Sequence, residues 1–296
     1  MVYPTKELDT DRRPHRCPVW LSSLSCILLC IPSVQAAGSK VIGSGGATSI
    51  DGMAGGGIVP WAVINGYASS DQWSLTSALS LVNVDDYQLH SQGLSLSYDN
   101  RWELSYGQQQ FSIDQTDVQL RQQIFAAKYK LAGDVLYDVM PQVSIGAIHK
   151  KQRDFALPAA IGVTDSADQE FYLAASKIYL DAVFGRNLLL NYTLRASRAQ
   201  QTGLLGFGST SDRSYQWCHE WSAVLLLTHQ LAIGAEYKQK PDTLDFAAED
   251  DWRDVFVGWF VNKHLSLVAG YVDLGSIAGK PQQDGYYLAL ETTWAF

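Results

Sequence analysis

Cysteine is nearly missing from this chain once its first 36 residues are set aside: Cys17, Cys26 and Cys30 lie inside them, and only Cys218 follows. A disulfide framework is excluded for the remainder. Long apolar runs are missing too. No stretch of 18 apolar residues follows residue 36, so a transmembrane helix is not expected. Apolar spacing of three, four and seven is equally scarce, which argues against a helical core. Basic excess is absent: 22 Lys and Arg stand against 30 Asp and Glu, and without the four basic and three acidic residues of the first 36 the balance is 18 against 27. Nucleic acid is therefore not an expected partner. With 47% hydrophobic and 18% charged residues, the chain is also not of the composition that stays disordered.

The first 36 residues read as a secretory signal. Arg12, Arg13 and Arg16 precede an apolar run at 19–31, and 34–36 offers small residues where a signal peptidase needs them. The run is too short to span a bilayer, which takes about 20 residues. Lipidation at Cys26 or Cys30 is disfavoured, because Ser23 and Leu29 are the wrong neighbours. Export is expected, with 37–296 as the mature domain.

What the mature chain has is period 2, over segments of roughly ten residues. Trp73, Leu75, Leu79 and Leu81 share one face against Ser74, Thr76, Ala78 and Ser80. Trp102, Leu104 and Tyr106 oppose Glu103 and Ser105, and Leu188, Leu190, Tyr192 and Leu194 oppose Asn191, Thr193 and Arg195. A soluble sandwich would alternate as well. Three features favour a transmembrane barrel instead: segments longer than the usual five or six residues of a soluble strand, aromatics at the ends of the apolar faces (Trp73, Trp102, Trp217, Trp221, Tyr237, Tyr271, Trp294), and charges at mid-strand on the opposite faces, which a lumen can hold and a sandwich core cannot.

Short and long connections alternate. Tight turns are read at 69–71, 99–100, 133–134, 184–186, 228–230 and 262–263, and long loops at 112–122, 152–168, 199–214, 241–250 and 274–284, the pattern of a barrel with short turns on the periplasmic side. Carried backward, it places strands at 39–49 and 58–68. The expected fold is an antiparallel barrel of 14 strands. A plug or free arm at 39–57 would leave 12 as the alternative. The last strand alternates up to Phe296, with Tyr286, Leu288, Leu290, Trp294 and Phe296 outward and Tyr287, Ala289, Glu291, Thr293 and Ala295 inward. It is expected to close the barrel against 39–49.

Candidate chemistry is thin. His90 and His149 sit near the predicted outer rim, but Ser91 must point away from His90 on a strand, so a serine hydrolase is disfavoured. Glu249, Asp250, Asp251 and Asp254 lack the spacing of a dedicated cation site and read as a solvated acidic loop. The glycines at 43–46 and 55–57 have no helix and no Lys-Ser/Thr after them, and suit close packing at the barrel seam instead. No catalytic residue, metal or cofactor is expected.

The lumen is the best candidate site. It is expected to gather Arg101, Lys128, Lys130, Lys177, Arg195 and Lys238 with Glu103, Glu220, Glu236, Asp254 and Glu291. Such a mixture suits either a weakly selective wet pore or a lumen closed by ion pairs. Gly203, Leu204, Leu205, Gly206 and Phe207, apolar within a long outer loop, are expected to fold inward as a constriction.

The stretches GGATSIDGMAGGGIVPWAVINGYASSDQ, RASRAQQTGLLGFG, EYKQKPDTLDFAAEDDWRDVFVGW and NKHLSLVAGYVDLG resemble those of an uncharacterised family of Gram-negative exported proteins, a domain of unknown function. The resemblance covers roughly 41–296, implies a shared barrel-like fold and carries no catalytic residue with it. The terminal aromatic strand also resembles the general signal read by the machinery that inserts outer-membrane barrels. The functional expectation is an outer-membrane, porin-like channel for small solutes in contact with outer-membrane lipid. The alternatives are a closed barrel that binds surface lipid, a cation or a partner protein, and, less favoured, a lipid hydrolase.

Overall fold

In the computed structural model of the chain, residues 40–114, 116, 118–244 and 247–296 are described. The predicted leader, 1–36, lies outside them. Two short strands, β1 (Ala47–Thr48) and β2 (Ala54–Gly55), pair only with each other. The wall is formed by β3 (Trp73–Val84), β4 (Tyr87–Tyr98), β5 (Trp102–Ile113), β6 (Gln119–Ala132), β7 (Gln142–Gln152), β9 (Ala167–Val183), β10 (Arg186–Ser197), β12 (Gln216–Leu226), β13 (Leu231–Lys238), β14 (Trp252–Asn262), β15 (Leu265–Asp273) and β16 (Asp284–Ala295). Between them, α1 (Ala156–Ala160) and the short strands β8 (Val163–Asp165) and β11 (Phe207–Ser209) belong to loops, where β8 and β11 pair.

The twelve wall strands close in chain order into one antiparallel barrel. The number is the 12 weighed as the alternative and not the 14 expected first. The strands anticipated at 39–49 and 58–68 are not part of the wall. Glycine at 43, 45, 46, 52 and 55–57 supplies no side chains for an outward apolar face, and residues 43–68 are buried within the barrel.

Closure consequently falls elsewhere than expected. β16 pairs with β3, from Gly285 opposite Val84 to Ala295 opposite Ser74. Beyond the ladder, the Trp73 amide donates to the Phe296 carbonyl at 2.8 Å and the Phe296 amide to Trp73 at 2.9 Å. The terminal strand is ordered to its last residue because it completes a sheet without an edge. The glycines assigned to a seam pack in the plug instead.

Outside, the alternation works as read. Leu81, Trp102, Leu104, Phe125, Trp221, Val255 and Leu288 are each at least half exposed, while Ser74, Thr76, Glu103 and Thr293 beside them on their strands are buried. An apolar surface on every side of a closed sheet is built for lipid, where each backbone N–H and C=O must find its partner within the barrel. Aromatic pairs mark the turn end, Trp73 with Tyr98 at 4.6 Å and Trp102 with Tyr129 at 4.3 Å between ring centres. Among the described residues no helix is long and apolar enough to cross a membrane. Short turns and long loops alternate as expected, with three exceptions: 133–141 is longer than a tight turn, 85–86 at the loop end is tight, and the long loop read at 112–122 shrinks to 114–118 because β5 and β6 extend into it.

Candidate functional site

The lumen is occupied by residues 40–68, a plug whose only ladder is the two-residue pairing of β1 with β2. A segment so irregular satisfies only part of its own backbone groups, for instance Ile50 with Gly57 and Trp61 with Ala54, and buried groups left unpaired cost about 1–3 kcal/mol each. The inward side chains of the wall supply the partners. Ser91 Oγ and Gln109 Nε2 donate to the Ile50 carbonyl at 2.8 and 2.6 Å, Thr193 Oγ1 to Pro60 at 2.7 Å, and Gln142 Nε2 and Ser144 Oγ to Ala62 at 2.7 and 2.5 Å. The serines and glutamines of the inward faces thus complete the hydrogen bonding of another segment.

The charged residues do the same. Glu103 accepts from the Ala54 and Asn65 amides at 3.0 and 2.8 Å, while Lys128, 3.3 Å from Glu103, donates to the Ala54 and Val63 carbonyls. Glu236 accepts from the Ile58 amide at 2.8 Å and the Trp61 indole at 3.0 Å. Glu291 accepts from Thr48 Oγ1 at 2.5 Å, and Lys238 donates to the Ile58 carbonyl at 3.1 Å. Asp254, opposite Glu236 in the ladder, accepts from Tyr287 Oη at 2.8 Å. A Cβ on Gly56 would overlap the Glu236 carboxylate, and one on Gly57 the Tyr287 hydroxyl. Glycine is needed at both positions so that backbone can approach the wall.

One cluster fixes the centre of the plug. Asp51 lies 3.0 Å from Lys150 and 3.6 Å from both Arg195 and Lys238. Lys150 also meets Glu170 at 2.8 Å, and Arg195 meets Glu220 at 2.7 Å. Three carboxylates balance three cations, all essentially inaccessible to solvent. Removing one member of such a group leaves a buried charge without compensation, at a cost of about 3–5 kcal/mol.

Eight of the eleven predicted lumen residues therefore face inward: Glu103, Lys128, Arg195, Glu220, Glu236, Lys238, Asp254 and Glu291. Three do not. Arg101 is exposed in the turn after β4, its guanidinium 6.0 Å from the Tyr129 ring. Lys130, opposite inward Ser144, sits at the turn rim 3.6 Å from Asp134, just before an irregularity in the β6–β7 register. Lys177 falls on the outer face, because Ser176 and Ile178 on either side of it point inward, and it donates to the Leu136 carbonyl at 3.4 Å. Asp51, Lys150 and Glu170 were missed. The sequence does carry a signal for Asp51, the one charge between residues 41 and 70. Lys150 has the parity of Ser144 and Ile148, obscured by the polar run at 149–154.

The loop at 202–208 folds into the barrel mouth. Gly203 through Phe207 are all buried, Leu205 donates to the Gln200 carbonyl at 3.2 Å, and Lys150 donates to the Thr202 carbonyl at 3.0 Å. Gln201 and Thr202 hold positive φ of 44° and 57°, a left-handed conformation uncommon for residues other than glycine. The acidic loop is not simply solvated. Glu249 is buried 2.9 Å from Lys240 and accepts from the Gln201 amide at 3.1 Å, and burial pushes its carboxyl above its ordinary pKa. Asp250 accepts from the Ser276 amide and Asp251 from the Lys240 amide, so the acids are spent separately. Among the described residues no group of three or more His, Cys, Asp or Glu is placed to hold a metal ion. Ser91 is buried and directed to the plug, while His90 is exposed on the other face.

The wall facing the loop end is divided into two sectors. From β7 through β9, β10 and β12 to β13 it presents Lys150, Glu170, Arg195, Glu220 and Lys238. From β14 through β16 and β3 to β6 it presents Trp252, Val272, Tyr287, Val84, Leu89, Phe111 and Leu120. Leu204 and Leu205 pack on the second sector, together with Ile50 and Ile58 of the plug.

No curated protein matches the sequence. Among solved structures the chain is similar to the NanC porin (12% identity, 74% of this chain and 98% of that one, TM-score 0.47) and the KdgM porin (10%, 73% and 98%, 0.46). It is also similar to the outer membrane protein Omp33 of Acinetobacter baumannii (9%, 76% and 98%, 0.38). The sequence profile of a family described as proteins of unknown function, DUF3034, matches residues 44–291, and the chain belongs to that family.

Proposed function

We propose that this protein is an outer-membrane barrel with a porin-like wall, closed by its own plug, and that small solutes pass when the plug is displaced. The supporting observation is the polarity of the wall. A lumen meant only to be filled is stabilised best by apolar packing, since replacing buried ion pairs with well-packed hydrophobic side chains is often neutral or favourable. Here most of the plug's backbone contacts are hydrogen bonds to Ser, Thr, Gln, Glu and Lys of the wall. Water can replace those partners when the plug leaves, and the wall left behind is lined like an aqueous path. Arg195, Glu220, Lys238 and Glu236 would then set ion preference. No catalytic step belongs to this reading.

Lipid is the proposed partner of the outer face, and the insertion machinery that of β16 with its terminal Phe296. Planar-bilayer recordings test the reading. The full chain should give little stepwise conductance, and a variant lacking residues 40–68, shown to be a folded barrel, should open. Equal conductance in both would mean that the plug does not close the lumen. No conductance from the folded deletion variant would turn the assignment toward a closed interaction barrel.

A further inference from the structure

Beneath the loop end, the apolar sector of the wall is not fully packed. A cavity of about 230 Å³ lies there, bounded by Phe111 and Leu120 of the wall, Ile50 and Ile58 of the plug, and Leu204 and Leu205 of the inward loop. Leu157 of α1, 41% exposed, and the exposed Lys280 of the 274–283 loop also line it, at its surface side. Every large element of the mouth contributes, yet none fills the space. A cavity of about 150 Å³ lined by similar side chains stays dry and takes up benzene. In proportion, this one has room for nine or ten non-hydrogen atoms.

One polar group among the lining residues stands apart. Trp252 borders the cavity and is 3% exposed, and its indole Nε1 has no hydrogen-bond partner among the described residues. The charged groups nearby are already engaged: Lys280 at the rim lies 2.6 Å from Asp86, and Lys240, 5.1 Å from the centre of the Trp252 ring, lies 2.9 Å from Glu249. An anionic ligand would have to break one of these pairs, whereas a neutral molecule with an acceptor oxygen would satisfy the indole and disturb neither.

We propose that this chamber is a binding site for a small neutral apolar molecule of about nine or ten heavy atoms carrying a single acceptor oxygen, such as a medium-chain ketone, aldehyde or short ester. The site does not depend on plug displacement. It is complete with the plug seated, since Ile50 and Ile58 form its floor.

The full chain in lipid nanodiscs, with tryptophan indoles labelled with ¹⁵N, offers a direct test. Octan-2-one and n-nonane, each with nine heavy atoms, are the probes, and Trp252→Phe assigns the resonance. Octan-2-one should shift the Trp252 Nε1–H signal saturably, while the outward tryptophans drift linearly as the ketone partitions into lipid. Nonane should bind about three- to tenfold more weakly, the worth of one ordinary hydrogen bond. Leu205→Trp, which fills the chamber, should abolish the saturable shift. A Trp252 signal that drifts only linearly would overturn the site, and saturable binding of equal strength for both probes would overturn the assignment of an oxygen-bearing ligand.

Discussion

The two sectors of the inner wall differ in what they do to the same plug. The charged sector, β7 to β13, holds Asp51 between Lys150, Arg195 and Lys238. The apolar sector, β14 to β6, turns Phe111, Leu120 and Trp252 toward Ile50 and Ile58 at the loop end, where a cavity lies among them. One side of the plug is fixed by directional contacts that fail sharply when one partner is lost. The other keeps hydrogen bonds to Glu103, Lys128 and Glu291 deeper in the barrel, but at the loop end its apolar side chains leave space unfilled. Such a division permits a ligand to enter on the apolar side without disturbing the charges that keep the lumen shut.

The largest expected effect lies in the charged sector. Asp51→Asn leaves three buried cations facing two carboxylates and should weaken plug seating by about 3–5 kcal/mol. It should be read as channel opening in bilayers and as protease cleavage within 40–68 of an otherwise folded barrel. Adding Lys238→Met should recover part of the loss, because it restores the charge balance; no recovery would mean that shape rather than charge fixes Asp51. In the apolar sector, Leu204→Ala should destabilise the inward loop by roughly 2–3 kcal/mol, seen as faster hydrogen exchange at 200–208, with conductance unchanged. Opening of the channel by this variant would erase the distinction between the sectors.

Gly56→Ala tests the boundary between them, since its Cβ would overlap the carboxylate of Glu236. Overpacking of about 1–3 kcal/mol should appear as brief openings rather than a stable open state. Lys177→Glu should leave the ion selectivity of the plug-deleted barrel unchanged, because Lys177 lies on the outer face; a shift would reverse that assignment. The smallest effect concerns the rim. The hydrogen bond from Lys280 holds the Asp86 carboxyl below its ordinary pKa, so the contribution of the pair is fully present above the unfolded carboxylate value of about 3.9 and is lost only as pH falls through the lowered one. The rim pair should therefore be as fully formed at pH 5 as at pH 8, read as an unchanged carboxyl carbon shift of Asp86.

Much of this was legible in the residues. Period 2 placed the wall strands and their faces, so that Glu103, Arg195, Glu236 and Glu291 could be assigned inward from their neighbours alone. The errors fall on the parity of single residues. Alternation runs unbroken through Lys177, with 168, 170, 172, 174, 176 and 178 inward, so its outward place was legible, whereas the rim position of Lys130, just before a register irregularity, was not. Asp51 was visible as a lone charge, but nothing local says that its partners lie about 100, 144 and 187 positions further along the chain.

The sequence by itself determined that this chain forms an antiparallel barrel with a polar inside, an apolar outside and a last strand bound into the sheet up to Phe296, because side-chain alternation is a local property of extended backbone. Only the tertiary structure decided that the barrel has twelve strands and is full. An irregular, glycine-rich segment has no period to read. Its place is set by backbone groups that find their partners on strands distant in sequence, and that matching exists only once the barrel has closed around it.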